Sequence, residues 1–224
     1  MEHMVFGDPI TEETLRGMPE YKNKTTITRT DKARVALSTK DAAEAQAFEY
    51  IEKLKREGCE CDEVITLGRI YNATGGTITN SVKLDFSGKS DEQSTYLVKI
   101  ENGQCGVFRH GETGGKNGSR GVVVYCGKNK DEKACDWMLS WSNPNPINHD
   151  NKVFTEIAEH GHYKAKAHDP IWNHVHEELC KSGTTSTYNW KGCDSAMTST
   201  RSNDMETCVV VDATVTLDAA KAKA

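Results

Sequence analysis

Cys135-Asp-Trp-Met-Leu-Ser-Trp-Ser-Asn-Pro144 is the stretch whose reading decides the fold. It reads as a strand. Trp137, Leu139 and Trp141 alternate with Asp136, Met138, Ser140 and Ser142, and Pro144, which has no N–H to give a ladder, stops it. Just upstream, Gly121-Val-Val-Val-Tyr-Cys126 reads as a second strand, joined to the first across the polar turn Gly127 to Lys133. Asn143, Asn145 and Asn148 then crowd the strand end beside Trp141. Aromatic surface next to amide groups suits a sugar or a lipid head group. The competing reading makes Trp137 and Trp141 core and the asparagines a turn.

Outward from this pair, short apolar runs alternate with turn chemistry. Val64 to Asn72, Ser81 to Phe86, Tyr96 to Ile100 and Cys105 to His110 read as strands. They are separated by Ala73-Thr-Gly-Gly, Ser87-Gly-Lys-Ser and Glu101-Asn-Gly. Asn151 to Ile157 adds a strand, and Lys191 to Thr200 with Thr207 to Leu217 forms a closing hairpin. Strands at this spacing predict a β-sandwich.

Two helices flank it. Residues 31–57 are rich in Ala, Glu, Lys and Leu, with Ala43, Ala47, Tyr50, Ile51 and Leu54 on one face and Gly58 as the stop. The second runs over residues 169–181, with Asp169 as N-cap and Pro170 at N1. Ile171, Val175 and Leu179 predict its buried stripe, and Trp172, His176 and Cys180 a neighbouring one. The expected organisation is an N-terminal arm over 1–40, a mainly β sandwich domain over 41–218, and a frayed tail over 219–224.

Composition narrows the function. The 224 residues carry 28 basic and 33 acidic side chains, net −5 with the signs mixed, so no basic face for nucleic acid is expected. No run approaches the ~20 apolar residues of a membrane span. The N-terminus has neither a basic nor an apolar signal region. That predicts a cytoplasmic protein whose eight cysteines are free thiols.

The order of these landmarks resembles the actinoporin-like fold shared with fungal fruit-body lectins, over roughly residues 45–217. Gly121-Val-Val-Val-Tyr125 followed by Leu139-Ser-Trp-Ser-Asn-Pro144 carries the resemblance, with the helix Ile171-Trp-Asn-His-Val-His-Glu-Glu-Leu179 and Asn189-Trp190. The whole chain is similar to the plant jasmonate-induced proteins of goosefoot and amaranth relatives. Val5-Phe-Gly-Asp-Pro-Ile-Thr11, Ala33-Arg-Val-Ala-Leu37, Ile70-Tyr-Asn-Ala-Thr-Gly75 and Cys135 to Pro144 carry that similarity.

The first resemblance implies a head-group pocket made by the residues after the central strand and by the second helix. Ser142 and Pro144 match that pattern, and Trp172 keeps an aromatic where the family's helix has its first tyrosine. His176 and Glu177 stand where paired tyrosines would be, and Asn145 and Ile147 replace the tyrosines after the proline. A choline cage needs several aromatic faces around the cation, so the pocket is expected in the same place with different chemistry. The ligand-binding residues expected are Ser142, Asn143, Pro144, Trp172 and His176, supported by Tyr125 and Trp141. The ligand is a carbohydrate or a lipid head group, with a membrane surface as a further partner, and the oligomeric state stays open. Together these imply a stress- or defence-associated binding protein. A pore-forming cytolysin is one alternative, and an enzyme built around His176 and Cys180 is another.

Other constellations add little. His160, His162, His168, His174, His176 and Cys180 crowd one segment. On a helix, His174 and His176 diverge, while His176 and Cys180 lie one turn apart and are the candidate metal pair. Cys59-Glu-Cys61 is too close for a zinc knuckle. Gly114 to Ser119 lacks the ending of a phosphate loop and reads as a hairpin loop able to rim a pocket. No G-x-S-x-G elbow marks a serine nucleophile. No catalytic residue and no cofactor is assigned.

Overall fold

The strand that stops at Pro144 is paired on both sides, and every residue from Cys135 to Asn143 is buried. The computed structural model describes residues 4–57, 63–90, 96–114, 117–145, 149–164 and 169–221. In chain order the elements are β1 (Val5–Phe6), α1 (Glu12–Arg16), α2 (Arg29–Ser38), α3 (Lys40–Glu57), β2 (Ile65–Ala73), β3 (Ile78–Ser87), β4 (Lys89–Ser90) and β5 (Lys99–Ile100). They continue with β6 (Cys105–Gly111), β7 (Ser119–Lys128), β8 (Ala134–Asn143), β9 (Lys152–Glu159), α4 (Pro170–Lys181), β10 (Thr185–Trp190), β11 (Cys193–Arg201), β12 (Cys208–Leu217) and α5 (Asp218–Lys221).

These strands make two sheets. The order β1-β6-β2-β12-β11-β10, with β4 also on β6, forms a seven-stranded sheet, and β5-β3-β7-β8-β9 forms a five-stranded one. Pairing is antiparallel except between β2 and β12, which run parallel. The odd-numbered side chains of β8, Trp137, Leu139 and Trp141, face the other sheet. There they pack with Val123 and Tyr125 of β7 and with Val209, Val211 and Val215 of β12. Gly121 is paired with Trp141 and lies under its ring, where a Cβ would stand 2.6 Å from a ring carbon. Only glycine lets the indole lie flat there.

The outer faces carry the helices. Ala43, Ala47 and Ile51 of α3 cover Leu67, Tyr71 and Val107 of the larger sheet. Trp172 and Val175 of α4 cover Val122, Val124 and Met138 of the smaller one. The molecule is therefore a β-sandwich between two helices, as the sequence predicts.

Two details differ from the sequence reading, and a third, the order of the N-terminal arm, is one the sequence leaves open. The helix expected over 31–57 is two helices. The Thr39 hydroxyl bonds back to the carbonyls of Val35 (3.0 Å) and Ala36 (3.3 Å), which satisfies the end of α2 and lets the chain turn into α3. The N-terminal arm is packed. Leu15 is fully buried, and the Asn102 amide donates to the carbonyls of Ile10 (3.0 Å) and Lys32 (3.1 Å). Asp31 caps α2 through Thr28 and accepts from Lys24 at 2.6 Å. Burial alone would raise this carboxyl, but the hydrogen bonds from Lys24 and Thr28 outweigh it and hold Asp31 below its usual range.

The second difference is at the tail. Residues 218–221 form α5 with Ala220 buried, and Arg34 of α2 donates to the Ala219 carbonyl at 3.2 Å. The frayed tail is thus a docked helical turn up to Lys221. Cys105, Cys126, Cys135, Cys180 and Cys193 are free, and the Cys135 and Cys193 sulfurs meet at 3.3 Å between the sheets. Gly58, Cys59, Cys61, Ile147, Asn148 and His168 lie outside the described residues.

Candidate functional site

Antiparallel register builds the site. Cross-strand partners put their side chains on one side of a sheet. On the side facing α4, the three strands β7, β8 and β9 align Arg120, Ser142 and Lys152 in one row. The next row is Val122, Ser140 and Phe154, then Val124, Met138 and Glu156, then Cys126, Asp136 and Ala158. Helix α4 lies over the middle rows and leaves the first partly open.

That opening is a cleft of about 330 Å³. Arg120, Ser142 and Lys152 form its floor, Pro144, His149 and Asp150 one rim, and His176, Leu179 and Cys180 of α4 the other. Its polar equipment is two cations, a hydroxyl, two imidazoles and one carboxylate. The buried Nε of Arg120 has no hydrogen-bond partner among the described residues. The Lys152 ammonium donates to the Cys180 carbonyl and so ties the floor to the C-terminal end of α4. His176 is steadied by an edge-to-face contact with Phe86, with ring centroids 5.2 Å apart.

The loop after β8 is held from behind. Glu112 accepts from the Asn145 amide and from the Gly118 N–H, each at 3.1 Å. Gly118 has φ +79° and presses on the Asn143–Asn145 backbone, where a Cβ would stand 2.3 Å from the Asn143 carbonyl oxygen. The hairpin loop before β7 thus braces the rim of the cleft from below.

The geometry brings some of the sequence-expected residues together and separates others. Ser142, Pro144, His176 and Cys180 share the cleft. Asn143 points the other way: it is fully buried, and its amide donates to the carbonyls of Ile65 (2.8 Å) and Thr207 (3.0 Å), latching the two sheets. Trp141 is 1% exposed in the core between the sheets, against Phe108 and Tyr96. Tyr125 is equally buried and its hydroxyl donates to the Leu97 carbonyl at 3.1 Å. Trp172 is 3% exposed and packs with Tyr163 over the smaller sheet. The reason lies in the helix phase. The buried positions of α4 are Trp172, Val175 and Leu179, an i, i+3, i+7 set, so Trp172 faces the sheet and Ile171 sits at the edge.

The cleft's two cations were missed in the sequence reading. Arg120 precedes the Val122–Val124 run and shares its parity, which was a readable signal. Lys152 joins it only through the β8–β9 register.

The candidate His/Cys pair is loose. The Cys180 sulfur lies 3.9 Å from Nδ1 and 4.0 Å from Nε2 of His176. A serine relay also exists that the sequence did not suggest. His110 Nδ1 meets the Ser119 hydroxyl at 2.8 Å, and Nε2 meets Asp85 at 3.2 Å. Ser119 and His110 are both wholly buried. The serine oxygen already donates to Thr66, at 2.8 Å. Neither residue borders the cleft, so the arrangement is a structural network beneath Trp141.

The family model of Nakanori-like proteins matches residues 6–215. The chain belongs to the Nakanori-like family. It is 34% identical over 184 residues to a 23 kDa jasmonate-induced protein of Hordeum vulgare, covering 80% of this chain and 83% of the relative. A jasmonate-induced protein homolog of Atriplex canescens is 28% identical over 104 residues, 46% of this chain and 55% of that one. Among solved structures, the lipid binding protein Nakanori superposes with a TM-score of 0.82 at 32% identity, covering 95% of this chain and 99% of that one. The jasmonate-induced resemblance read from the sequence thus stands, and it extends to a barley relative. No described helix is long and apolar enough to cross a membrane.

Proposed function

We propose that this is a stress-associated lipid-binding protein whose cleft takes a phosphate-bearing head group. One observation carries the reading: the row Arg120, Ser142 and Lys152 on the cleft floor, two cations flanking a hydroxyl on adjacent strands. Adjacent strands lie ~4.8 Å apart, so a tetrahedral oxyanion between the two outer side chains meets donors from both, with the hydroxyl beneath it. Arginine and lysine bind phosphate by charge-assisted hydrogen bonds, and Arg120 Nε has no competing partner among the described residues.

Asp150 on the rim then faces the amine end of a head group, and among the described residues no Tyr, Trp or Phe lines the cleft. That favours a primary ammonium, paired with a carboxylate, over a quaternary one held by aromatic faces. Pro144 and Leu179 offer apolar surface to the glycerol region. The lipid-binding neighbour and the jasmonate-induced relatives support this reading. It is a binding role and assigns no catalytic residue.

Co-flotation with phosphatidylethanolamine, phosphatidic acid and phosphatidylcholine vesicles tests it, with dye leakage followed in the same samples. Binding is expected to prefer phosphatidylethanolamine. Arg120→Gln and Lys152→Gln should each weaken it about 10-fold or more, from the loss of a charged hydrogen bond, with the melting temperature kept. Binding that survives both substitutions overturns the cleft assignment. Glycan-array binding without any lipid binding would favour the lectin reading, and leakage at the binding threshold the pore-forming one.

A further inference from the structure

We propose that Cys126, Asp136 and His160, at the far end of the same sheet face, form a binding site for a zinc-type divalent cation. Three different donor atoms converge there. His160 Nδ1 lies 3.0 Å from the Cys126 sulfur and 2.9 Å from Asp136 Oδ1, and all three ligand atoms lie within 4.8 Å of one another. Cys126 and Asp136 are cross-strand partners on β7 and β8, so the pair is set by sheet register. His160 follows directly on the end of β9.

The geometry separates a metal site from a catalytic triad. A Cys–His–Asp relay uses both imidazole nitrogens, one toward the thiol and one toward the carboxylate. Here a single nitrogen meets both, so the three donor atoms surround one point. Ligand atoms on a tetrahedral zinc stand roughly 3.3–3.8 Å apart, given bonds of about 2.0–2.3 Å. The two contacts of His160 Nδ1, at 3.0 and 2.9 Å, therefore open by less than about 1 Å to accept the ion. A thiolate with an imidazole and a carboxylate suits zinc or cobalt and not calcium or magnesium, which take oxygen ligands.

The surroundings fit as well. Asp136 is 1% exposed, and its second oxygen accepts the Gly161 N–H at 2.7 Å, which fixes the carboxylate. Gly161, at φ +91°, makes the turn that aims this N–H. Lys164 lies 3.1 Å from His160 Nε2 and is exposed on the same turn. It can swing into solvent when Nδ1 takes a metal and Nε2 takes the proton. Cys126 is half-buried and His160 exposed, so a fourth position opens to water. A bound ion would staple β7 and β8 to the turn that carries Tyr163, which packs on Trp172 of α4.

The test titrates cobalt(II), then zinc, into chelator-treated full-length protein. One equivalent of cobalt with a thiolate-to-metal absorption band is expected, and zinc should displace it. Zinc should raise the melting temperature of the wild type, and Cys126→Ser and His160→Gln should each weaken binding at least about 10-fold and abolish that rise. His176→Ala and Cys180→Ser should leave binding unchanged. If the two site variants fail to fold, alkylation of the wild type decides: zinc should protect Cys126 from iodoacetamide and leave Cys180 reactive. The proposal is overturned if no stoichiometric band forms. It is overturned equally if Cys126 stays unprotected, or if binding is lost only in Cys59→Ser, Cys61→Ser or Cys180→Ser.

Discussion

At one end of the face that β7, β8 and β9 turn toward α4 stand Arg120, Ser142 and Lys152. At the other end, six residues along β7, stand Cys126 and Asp136 with His160 beside them. Six residues of strand separate the two by ~20 Å. Between them the rows are mostly apolar, with Val122, Val124 and Met138 beneath Trp172 and Val175, and with Ser140 and Glu156 as their polar members. A helix of 12 residues spans about 18 Å, and its covering surface is shorter than the sheet it crosses. The same period-2 pattern therefore yields core under the helix and polar chemistry past its ends. What differs is enclosure. The cation end opens into a cleft of about 330 Å³, while the donor-atom end closes on itself through contacts near 3 Å. An open end with two cations, neither of them ion-paired to a carboxylate among the described residues, suits a group the size of a phosphate, and a closed one suits a single ion.

This contrast depends on the middle rows being core, and Trp172→Ala strikes them hardest. Removing an indole that is 3% exposed should cost about 3–5 kcal/mol. For a chain of this length that lowers the melting temperature by roughly 6–20 °C. Thermal melts measure it. A variant that melts like the wild type but no longer binds vesicles would move Trp172 from the separator into the cleft wall, and the two ends would no longer be distinct.

The second effect sharpens the cleft end. Ser142 and Asn143 are neighbours in sequence, but strand alternation sends them to opposite sides. Asn143→Ala removes the amide donor from the carbonyls of Ile65 and Thr207, of which Thr207 keeps the Ile65 N–H at 3.1 Å, and should cost about 1–3 kcal/mol in urea unfolding. Ser142→Ala should leave unfolding within about 0.5 kcal/mol of wild type and weaken head-group binding instead. Equal stability losses from both would mean that Ser142 is also a latch.

The architecture was legible because Trp137, Leu139 and Trp141 alternate in a run stopped by Pro144, and because Asp169 and Pro170 mark the start of α4. Ser142, Pro144 and His176 were reachable from their places at a strand end and on a helix face. Trp172 misled because an i, i+4, i+8 stripe through Ile171 and an i, i+3, i+7 stripe through Trp172 are nearly equivalent in sequence. Packing on the sheet chose the second. Lys152, Asp136 and His160 could not be joined to their partners without knowing which strands pair and in what register. That register is set by long-range contacts between the two sheets.

The smallest effect concerns what holds the closed end in place. The β7–β8 turn carries Glu132, which accepts two hydrogen bonds from Arg29 of α2, at 2.8 and 3.1 Å. The Arg29 guanidinium, with help from Lys128, holds the Glu132 carboxyl down at about 2. A carboxylate whose folded value lies below its unfolded one adds stability above the unfolded value and loses it as the pH falls toward the folded one. The contribution of this pair should therefore be complete above about pH 4.5 and gone near about pH 2. Because Glu132 is 57% exposed, solvent screens the pair and its worth is at most about 1 kcal/mol. Urea unfolding of Glu132→Gln against wild type at neutral pH and at acid pH checks this. The variant should be slightly less stable at neutral pH, indistinguishable near pH 2, and closer to wild type in molar salt. A gap that persists at acid pH would assign the effect to the shape of the turn, where Glu132 sits at φ 59°. The closed end would then be held by backbone conformation and not by its tie to α2.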